Sequence, residues 1–270
     1  MEMPKIMIGT FQNDRYQDLL DVVQAGVESG FTGFDTAPSY GTELQLGNAI
    51  QECMAHYQLT RKDFFISDKV DAWQMQRTNG DVRCYVEEAI RKMNIEYLDL
   101  LLVHWPVPEY IEQTWRHMQQ LKESGLVKRI GICNVRVRHL QEWHSRDIIP
   151  EYIQIERHPL RTCALEMQYC IDNGIKVVSY SPLCRMHKHI KESDVLNTLM
   201  LKYNKNIGQI ILRWHIETGS IPVFMSKRSS RIKENMDIFD FTLTQEEVND
   251  INTLNENYKL FPESWGCPGF

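Results

Sequence analysis

The chain has 270 residues, and 36 acidic against 30 basic side chains give a formal net charge of −6. This acidic balance argues against a general binder of nucleic acid or of anionic membranes. No apolar run approaches the roughly 20 residues of a membrane-spanning helix, and the N-terminus lacks the features of a signal peptide. Seven scattered cysteines without a CxxC pair indicate reduced thiols. We therefore expect a cytoplasmic protein that binds neither nucleic acid nor membrane.

Short apolar runs alternate with amphipathic segments along the whole chain. Residues 98–103 are apolar apart from Asp99, which suits a strand buried on both faces of a parallel sheet. The eight strand candidates, in chain order, are residues 6–11, 31–34, 64–70, 98–103, 129–133, 152–155, 175–179 and 220–224.

Helical periodicity appears between most of these runs. In residues 81–93 the apolar side chains recur every three or four positions and fall on one helical face. Thr244 and Glu247 form a capping box that begins the last helix. The predicted helices are residues 19–30, 42–56, 81–93, 111–124, 207–217, 229–238 and 244–254.

Strands that alternate with helices predict right-handed crossovers and a parallel sheet. Eight such units in 270 residues fit a (β/α)8 TIM barrel, with an extra C-terminal helix and a tail. The rival is an open doubly wound sheet, which usually carries a GxGxxG turn after its first strand. Here that turn reads Thr10-Phe11-Gln12-Asn13. No linker or low-complexity segment interrupts the chain, so we expect residues 1–270 to form a single domain.

Polar side chains stand at the ends of three consecutive strands. Asp35, Lys69 and His104 are 34 and 35 residues apart, which is about one βα unit each. In a barrel they would lie side by side on one rim, with Tyr40 on the loop above them. Taken one at a time, each residue has a structural explanation. Asp35 could cap a turn and Lys69 could be a solvated lysine. His104 could be a core histidine and Tyr40 a loop aromatic. Their convergence on one rim predicts an active site instead.

These four residues suit the protonation of an oxygen. A lysine ammonium near Tyr40 favours the phenolate and should lower the pKa of that phenol. Asp35 would hold Lys69 in place and keep it charged, and His104 would orient and polarise a carbonyl oxygen. Tyr40 can then act as a general acid. No nucleophile and no metal-ligand spacing is evident, so the missing component is a hydride donor, which implies a cofactor.

Seven segments resemble the aldo-keto reductase family, and they follow the family's order over residues 4–255. The resemblance is greatest to the short bacterial branch that includes diketogluconate reductases. The segments are Gly-Phe-Asp-Thr-Ala at 33–37, Ser-Tyr-Gly at 39–41, Lys69, His-Trp-Pro at 104–106, Ile-Gly-Ile-Cys-Asn at 130–134, Tyr-Ser-Pro-Leu at 180–183 and Arg-Ile-Lys-Glu-Asn at 231–235.

The resemblance implies an NAD(P)H-dependent carbonyl reductase on a TIM barrel. Asp35, Tyr40, Lys69 and His104 fall on the family's catalytic tetrad. Asn134 and Gln154 fall where the family holds the nicotinamide carboxamide, and Tyr180 falls on the ring that stacks on the nicotinamide. The other residues that we assign to the cofactor are Thr10, Asp35, Ser181, Leu183, Ser226, Lys227, Arg228, Arg231, Glu234 and Asn235.

The charge pattern also favours a phosphate-bearing cofactor. Residues 225–233 contain four basic side chains and no acid, and a second basic patch at 185–191 includes His187 and His189. Both patches follow the last two strands, where barrels commonly bind phosphate. Two solvated basic loops are the plainer alternative. The two histidines lack a third ligand, so we expect no metal site.

The chain departs from the family pattern at several positions. Met225 stands where the family usually has the lysine that contacts the 2′-phosphate of NADP, and Cys133 replaces the usual serine. NADPH stays favoured, with Lys227 and Arg228 supplying charge, while use of NADH stays open. Arg157 occupies a position where an aromatic is common. The N-terminal hairpin that plugs the barrel is reduced to residues 3–5, so the floor needs another cover.

Aromatic residues near the strand ends predict an apolar pocket for a small-molecule aldehyde or ketone. They are Phe11, Trp73 and Trp105, together with Tyr40 and His104. A tail rich in Gly and Pro, residues 261–270, is expected to fold over the rim. The pattern does not choose between sugar-derived, aliphatic, aromatic and steroid carbonyls.

Three functions remain open on sequence grounds, and for each we expect a monomer. The first is NADPH-dependent reduction of aldehydes and ketones. The second is a dinucleotide-binding barrel that acts as a sensor or regulatory subunit with little turnover. The third is a barrel isomerase or hydrolase that uses no nicotinamide.

Overall fold

The eight predicted strands close into one parallel barrel in chain order. A computed structural model describes residues 2–13 and 15–261. Each strand pairs with its neighbour in sequence, and the first pairs with the last. The predicted (β/α)8 fold is therefore confirmed. The strands are β1 Met7–Gly9, β2 Gly33–Asp35, β3 Phe65–Val70, β4 Leu100–Val103, β5 Ile130–Cys133, β6 Tyr152–Glu156, β7 Lys176–Tyr180 and β8 Ser220–Phe224.

Helices surround this barrel and bury their apolar faces against it. The seven predicted helices are present with ends shifted by a few residues, and they correspond to α1 Tyr16–Glu28, α2 Glu43–Tyr57, α4 Arg83–Met93, α5 Ile111–Glu123, α10 Ile207–Glu217, α11 Ser229–Met236 and α12 Gln245–Asn252. The helices that the sequence reading missed are α3 Ala72–Arg77, α6 Val137–His144, α7 Ala164–Asp172, α8 Lys188–Lys191 and α9 Asp194–Tyr203.

Alternation along the strands separates an inner from an outer layer. Phe65 belongs to a cluster inside the barrel, whereas Ile66 and Val70 belong to the larger cluster under the helices. Successive side chains of a strand point to opposite faces, so Lys69 points inward. The same alternation sends Asp35 inward at the end of β2. Inward-pointing residues at the carboxyl ends of the strands therefore meet at one rim.

The floor of the barrel is closed by the first described residues. Met3 packs against the inner cluster, which includes Phe65 and Tyr152 at the beginnings of their strands. Pro4 lies so close to Gly33 that a Cβ on this glycine would come within 2.6 Å of the Pro4 ring. Met3 and Pro4 therefore both lie against the floor of the barrel. Among the described residues, no helix has both the length and the apolar character needed to cross a bilayer.

Candidate active site

Asp35 and Lys69 form a buried ion pair at the rim. The Lys69 Nζ atom lies 2.6 Å from Asp35 Oδ2 and donates to the Thr36 carbonyl at 2.8 Å. The two side chains are 4% and 0% exposed, respectively. Burial alone would lower the pKa of Lys69, but the surrounding groups, with the Asp35 carboxylate first among them, together outweigh burial, and the net pKa is raised. Lys69 is therefore a fixed cation at neutral pH.

Tyr40 lies against this cation. It ends a 3-10 turn, Pro38–Tyr40, and Gly41 follows with a φ of +67°, a left-handed conformation that glycine adopts without strain. The Tyr40 ring centroid is 4.8 Å from Lys69 Nζ and 5.7 Å from the centre of the His104 imidazole. The turn thus holds the phenol close to both the lysine and the histidine.

The net pKa of Tyr40 differs from the sequence expectation. Lys69 does lower the pKa of the phenol, as expected, but burial raises it by more, so that the pKa lies above the usual value for tyrosine. The reason is that a phenolate in a closed site loses its hydration. Tyr40 therefore keeps its proton across the neutral range.

His104 follows β4 and has a partner that the sequence reading did not name. Its Nδ1 atom lies 2.6 Å from Asp71 Oδ1. Asp71 is buried, and its position just after β3 and before α3 places it at the same rim. The order of residues, an aspartate two positions past Lys69 at the start of a short helix, was visible in the sequence. Its proximity to His104 was not.

The residues assigned to the carboxamide line the same rim. Gln154 Nε2 donates to Asp35 Oδ1 at 3.0 Å. Asn134, with a φ of +59°, donates to the His104 carbonyl at 2.8 Å and accepts from the Tyr180 hydroxyl at 2.8 Å. One hydrogen bond therefore links β2 to β6 at the rim, and two others link the ends of β4, β5 and β7.

Thr10, which follows β1, makes hydrogen bonds beside Asp35. Its hydroxyl contacts the Asp35 carbonyl at 3.1 Å and the Thr42 hydroxyl at 2.8 Å. Thr42 in turn contacts the hydroxyl of Thr36 at 2.9 Å. These buried hydroxyls fix the backbone on both sides of Asp35.

The basic segment after β8 is arranged for an anion. Lys227, Arg228 and Arg231 are exposed, and Arg228, which precedes α11, offers no side-chain cap to the first turn of that helix. The Ser226 hydroxyl accepts from the Arg228 N–H at 3.1 Å, which shapes the turn. Uncapped N–H groups and cations together fit a phosphate. Met225, 41% exposed, contributes no charge.

The remaining cofactor candidates lie beside α10 and β8. Asn235 and Leu183 approach each other across Gly208, where an added Cβ would lie 3.5 Å and 3.8 Å from their side chains. Asn13 donates to the Ser226 carbonyl at 3.4 Å, and its own Oδ1 is buried without a partner among the described residues. This orphaned acceptor fits a ligand that carries hydroxyl groups. Glu234 is exposed, and Ser181 adopts a φ of +50°.

Two departures from the family pattern have different surroundings. Cys133 points into the barrel, with its Sγ 3.9 Å from Gln154 Oε1, and burial raises the pKa of this thiol. Arg157 is buried, donates to the Ser220 hydroxyl at 2.9 Å and lies 4.1 Å from the centre of the Trp214 ring system. Burial lowers the pKa of Arg157 to about 9. Arg157 therefore packs against both α10 and β8 and links these two elements.

The structure brings one of the three predicted pocket aromatics to the tetrad. The Phe11 ring lies 5.1 Å from the Tyr40 ring. Trp73 is 42% exposed and meets Tyr85 of α4 at 5.2 Å. Trp105 packs against the apolar layer outside the barrel. Phe11 is thus an apolar neighbour of the proton donor candidate.

Glu156, which the sequence reading did not single out, holds the last described residues at the rim. The carboxylate accepts from the backbone N–H groups of Leu260 and Phe261 at 2.7 and 3.0 Å. Burial raises the pKa of Glu156, but hydrogen bonds from His158 and from these N–H groups outweigh it and hold the pKa below its usual value. Phe261 then lies 5.8 Å from the Tyr180 ring. The rest of the predicted tail, residues 262–270, lies outside the described residues.

Across the described ranges, no group of three or more His, Cys, Asp or Glu side chains is arranged to hold a metal ion. The arrangement supports proton donation beside a cation, and the basic segment follows β8 at the same end of the barrel. The chemistry that it favours is the reduction of a carbonyl group by an external hydride donor.

Comparisons with known proteins agree with this geometry. The model of the Aldo/keto reductase family matches residues 5–256. The uncharacterized oxidoreductase YtbE of Bacillus subtilis (strain 168) is 35% identical over 97% of this chain and 93% of its own length. The glyoxal reductase of the same strain is 33% identical over 97% of this chain and 92% of its own length. The crystal structure of a Bombyx mori aldo-keto reductase in complex with NADP superposes with a TM-score of 0.88, at 30% identity, over 97% and 93% of the two chains.

Proposed function

The chain belongs to the aldo/keto reductase family and is an NAD(P)H-dependent oxidoreductase, and we propose that it reduces aldehydes or ketones with NADPH as donor and Tyr40 as acid. One observation carries the proposal. Asp35 and Lys69 form a buried pair 2.6 Å apart, the Lys69 Nζ atom lies 4.8 Å from the centre of the Tyr40 ring, and the His104 ring lies 5.7 Å from the same ring.

Three residues of the tetrad, Tyr40, Lys69 and Asp35, act in the proton transfer. A bound NADPH would supply the hydride for the carbonyl carbon. Tyr40 gives its proton to the carbonyl oxygen, which becomes the hydroxyl of the alcohol product. The Lys69 ammonium stabilises the phenolate left behind, and Asp35 keeps that ammonium in place. Solvent returns a proton to Tyr40 before the next turnover.

The cofactor would be held at two places on the rim, one for the nicotinamide and one for the phosphate. Asn134 and Gln154 would bind the carboxamide, and Tyr180 would support the nicotinamide ring. Arg231, with Lys227 and Arg228, would meet the phosphate beside the first turn of α11. We infer a preference for NADPH because three exposed cations surround that turn, and a weak one because Met225 adds none.

The substrate is proposed to be a small aldehyde or ketone. The similar Bacillus subtilis protein is named a glyoxal reductase, and glyoxal is a small dialdehyde. In this chain, Phe11 lies beside Tyr40 and offers an apolar surface to the carbon skeleton of a substrate.

The proposal is tested with purified protein and NADPH. Fluorescence titration measures cofactor binding, and single-turnover oxidation of bound NADPH by a panel of aldehydes measures hydride transfer. We expect Tyr40→Phe to keep its affinity for NADPH and to lose turnover by about 10²- to 10⁴-fold, the usual contribution of a general acid.

The matched control is Tyr16→Phe, which removes a surface hydroxyl that donates to Glu52 at 2.7 Å. It should leave turnover unchanged. Saturable NADPH binding without oxidation by any aldehyde would instead favour a sensor or regulatory subunit. No binding of either dinucleotide would overturn the assignment altogether.

A further inference from the structure

The contact between Asp71 and His104 determines which nitrogen of the histidine can face a substrate. Asp71 Oδ1 lies 2.6 Å from His104 Nδ1, and the two side chains are 6% and 15% exposed. The Asp71 side chain is held at its base, since its backbone N–H donates to Gln74 Oε1 at 2.9 Å at the start of α3. The Ser39 hydroxyl, one residue before Tyr40, donates to the same carboxylate oxygen at 3.3 Å.

Asp71 is ionised at neutral pH because its pKa lies below the usual value for a carboxyl group. Burial raises the pKa of this carboxyl, but hydrogen bonds from His104 and Ser39 lower it by more, and the net pKa lies below its usual value. A carboxylate can only accept hydrogen bonds, so the proton of the short contact must be on Nδ1. The other nitrogen, Nε2, is then left for the mouth of the barrel, where Tyr40 adjoins the imidazole.

This fixed orientation changes what His104 can do for a carbonyl oxygen. A neutral imidazole with its proton on Nδ1 has a lone pair on Nε2, and a lone pair cannot donate to an oxygen. Only the protonated ring carries an N–H at both positions. Neutral His104 can accept from an alcohol, and protonated His104 can donate to a carbonyl.

We propose that Asp71 is a positioning residue that fixes the proton of His104 on Nδ1, so that His104 serves as a second donor to the carbonyl oxygen only when its ring is protonated. The inference rests on the proposed carbonyl reduction for its catalytic consequence. The protonation state itself is a property of the free protein and is measured without substrate or cofactor.

The charges around His104 set the direction of the pH dependence. Burial lowers the pKa of His104, Lys69 lowers it further, and the Asp71 and Asp35 carboxylates raise it by less. Tyr40 faces the ring as a neutral phenol. Glu43 and Cys133 lie within electrostatic reach of Asp71. Because the net pKa is below the usual value, the ring gains its second proton only on the acid side, and carbonyl reduction should accelerate as the pH falls through that pKa.

The direct test is the ¹⁵N NMR spectrum of the histidine rings in the free, full-length protein, with His104 assigned by comparison with His104→Gln. We expect neutral His104 to carry its proton on Nδ1. In Asp71→Asn, which keeps the size of the side chain and a good N-cap residue, the titration midpoint should move to lower pH. The fraction of neutral ring protonated on Nε2 should rise.

The matched control is Asp81→Asn, since Asp81 lies 3.5 Å from the Nδ1 atom of His117 on the outer helices. It should leave the His104 signals unchanged. A wild-type His104 protonated on Nε2, or a His104 spectrum insensitive to Asp71→Asn, would overturn the proposal while leaving the proposed reductase function standing.

A second readout is the pH profile of single-turnover NADPH oxidation. In wild type, the rate should rise toward acid with the midpoint seen by NMR. In Asp71→Asn, the rise should move to lower pH and the rate at neutral pH should fall by about tenfold, less than the loss of a general acid itself. The affinity for NADPH should change by less than about twofold, because the proposed role of Asp71 concerns the chemical step and not the binding of the cofactor. A profile identical to wild type would contradict the assigned role.

Discussion

Two buried ion pairs stand at opposite ends of the same barrel. At the floor, Arg61 and Asp99 lie 2.7 Å apart, just before β3 and β4. Arg61 also donates to the carbonyls of Phe64 and Tyr97, and Asp99 accepts from the Ile66 N–H at 3.0 Å. The other hydrogen bonds of this pair are made with backbone groups. It therefore joins the segments that begin two neighbouring strands.

The pair at the mouth has the same chemistry but different neighbours. Lys69 and Asp35 contact titratable or amide side chains of other strands, and the Tyr40 phenol lies on the lysine. The difference shows why a buried pair alone does not identify an active site. What identifies the mouth is a group beside the pair whose protonation the pair can influence, at the carboxyl ends of the strands.

The largest expected effect comes from breaking both pairs in the same way. Lys69→Met and Arg61→Met each leave a buried carboxylate unpaired, which should lower the free energy of unfolding by about 3–5 kcal/mol. Only Lys69→Met should also remove turnover, by about 10²-fold or more, because the Tyr40 phenolate loses its cation. Chemical denaturation and single-turnover kinetics on the folded fraction measure the two effects.

Either of two results would contradict this contrast. Arg61→Met protein that is folded yet inactive would place the floor in the reaction. Lys69→Met protein with full turnover would remove Lys69 from it. Lys69→Arg, which keeps a cation, should retain more stability than Lys69→Met.

An intermediate effect is expected at the phosphate rim. Arg231→Ala should weaken NADPH binding by about tenfold, or about 1.4 kcal/mol, and should change NADH binding by less than about twofold. The matched control on the same helix is Lys233→Ala, because Lys233 is committed to Glu28 at 2.9 Å. Parallel fluorescence titrations give both constants. Equal weakening of NADPH and NADH would show that Arg231 does not read the 2′-phosphate.

The smallest expected effect is a gain in the affinity for NADPH at position 225. Met225 is 41% exposed, so a longer polar side chain fits without loss of core packing. Met225→Lys should tighten NADPH binding by about threefold, as expected for one added exposed charge. Met225→Gln serves as the uncharged control in the same titration. Tightening by both variants to the same extent would exclude charge as the cause.

The barrel and the tetrad were predictable from the sequence for a physical reason. Buried parallel strands are apolar runs, so the polar residues that end them stand out, and regular spacing then places Asp35, Lys69 and His104 on one rim. Among the missed helices, α9 is preceded by the N-cap residue Ser193, whose hydroxyl accepts from the Leu196 N–H at 3.3 Å. That capping signal was present in the sequence and was not used.

Other features depend on distances that no pattern contains. The contact of Asp71 with His104 joins two loops that are 33 positions apart. The net pKa of Tyr40 depends on how far burial outweighs Lys69, and burial is known only once the barrel is closed. Glu156 ends β6 like any rim residue, and only the folded chain brings residues 260 and 261 to its carboxylate.

The closure of the floor by Met3 and Pro4 has a practical consequence for handling the protein. A purification tag fused ahead of these residues leaves the barrel at the end opposite to the chemistry. Residue 261, in contrast, is held by Glu156 at the opposite end of the barrel, beside Tyr180. Cofactor titrations are therefore best performed with the tag at the amino terminus.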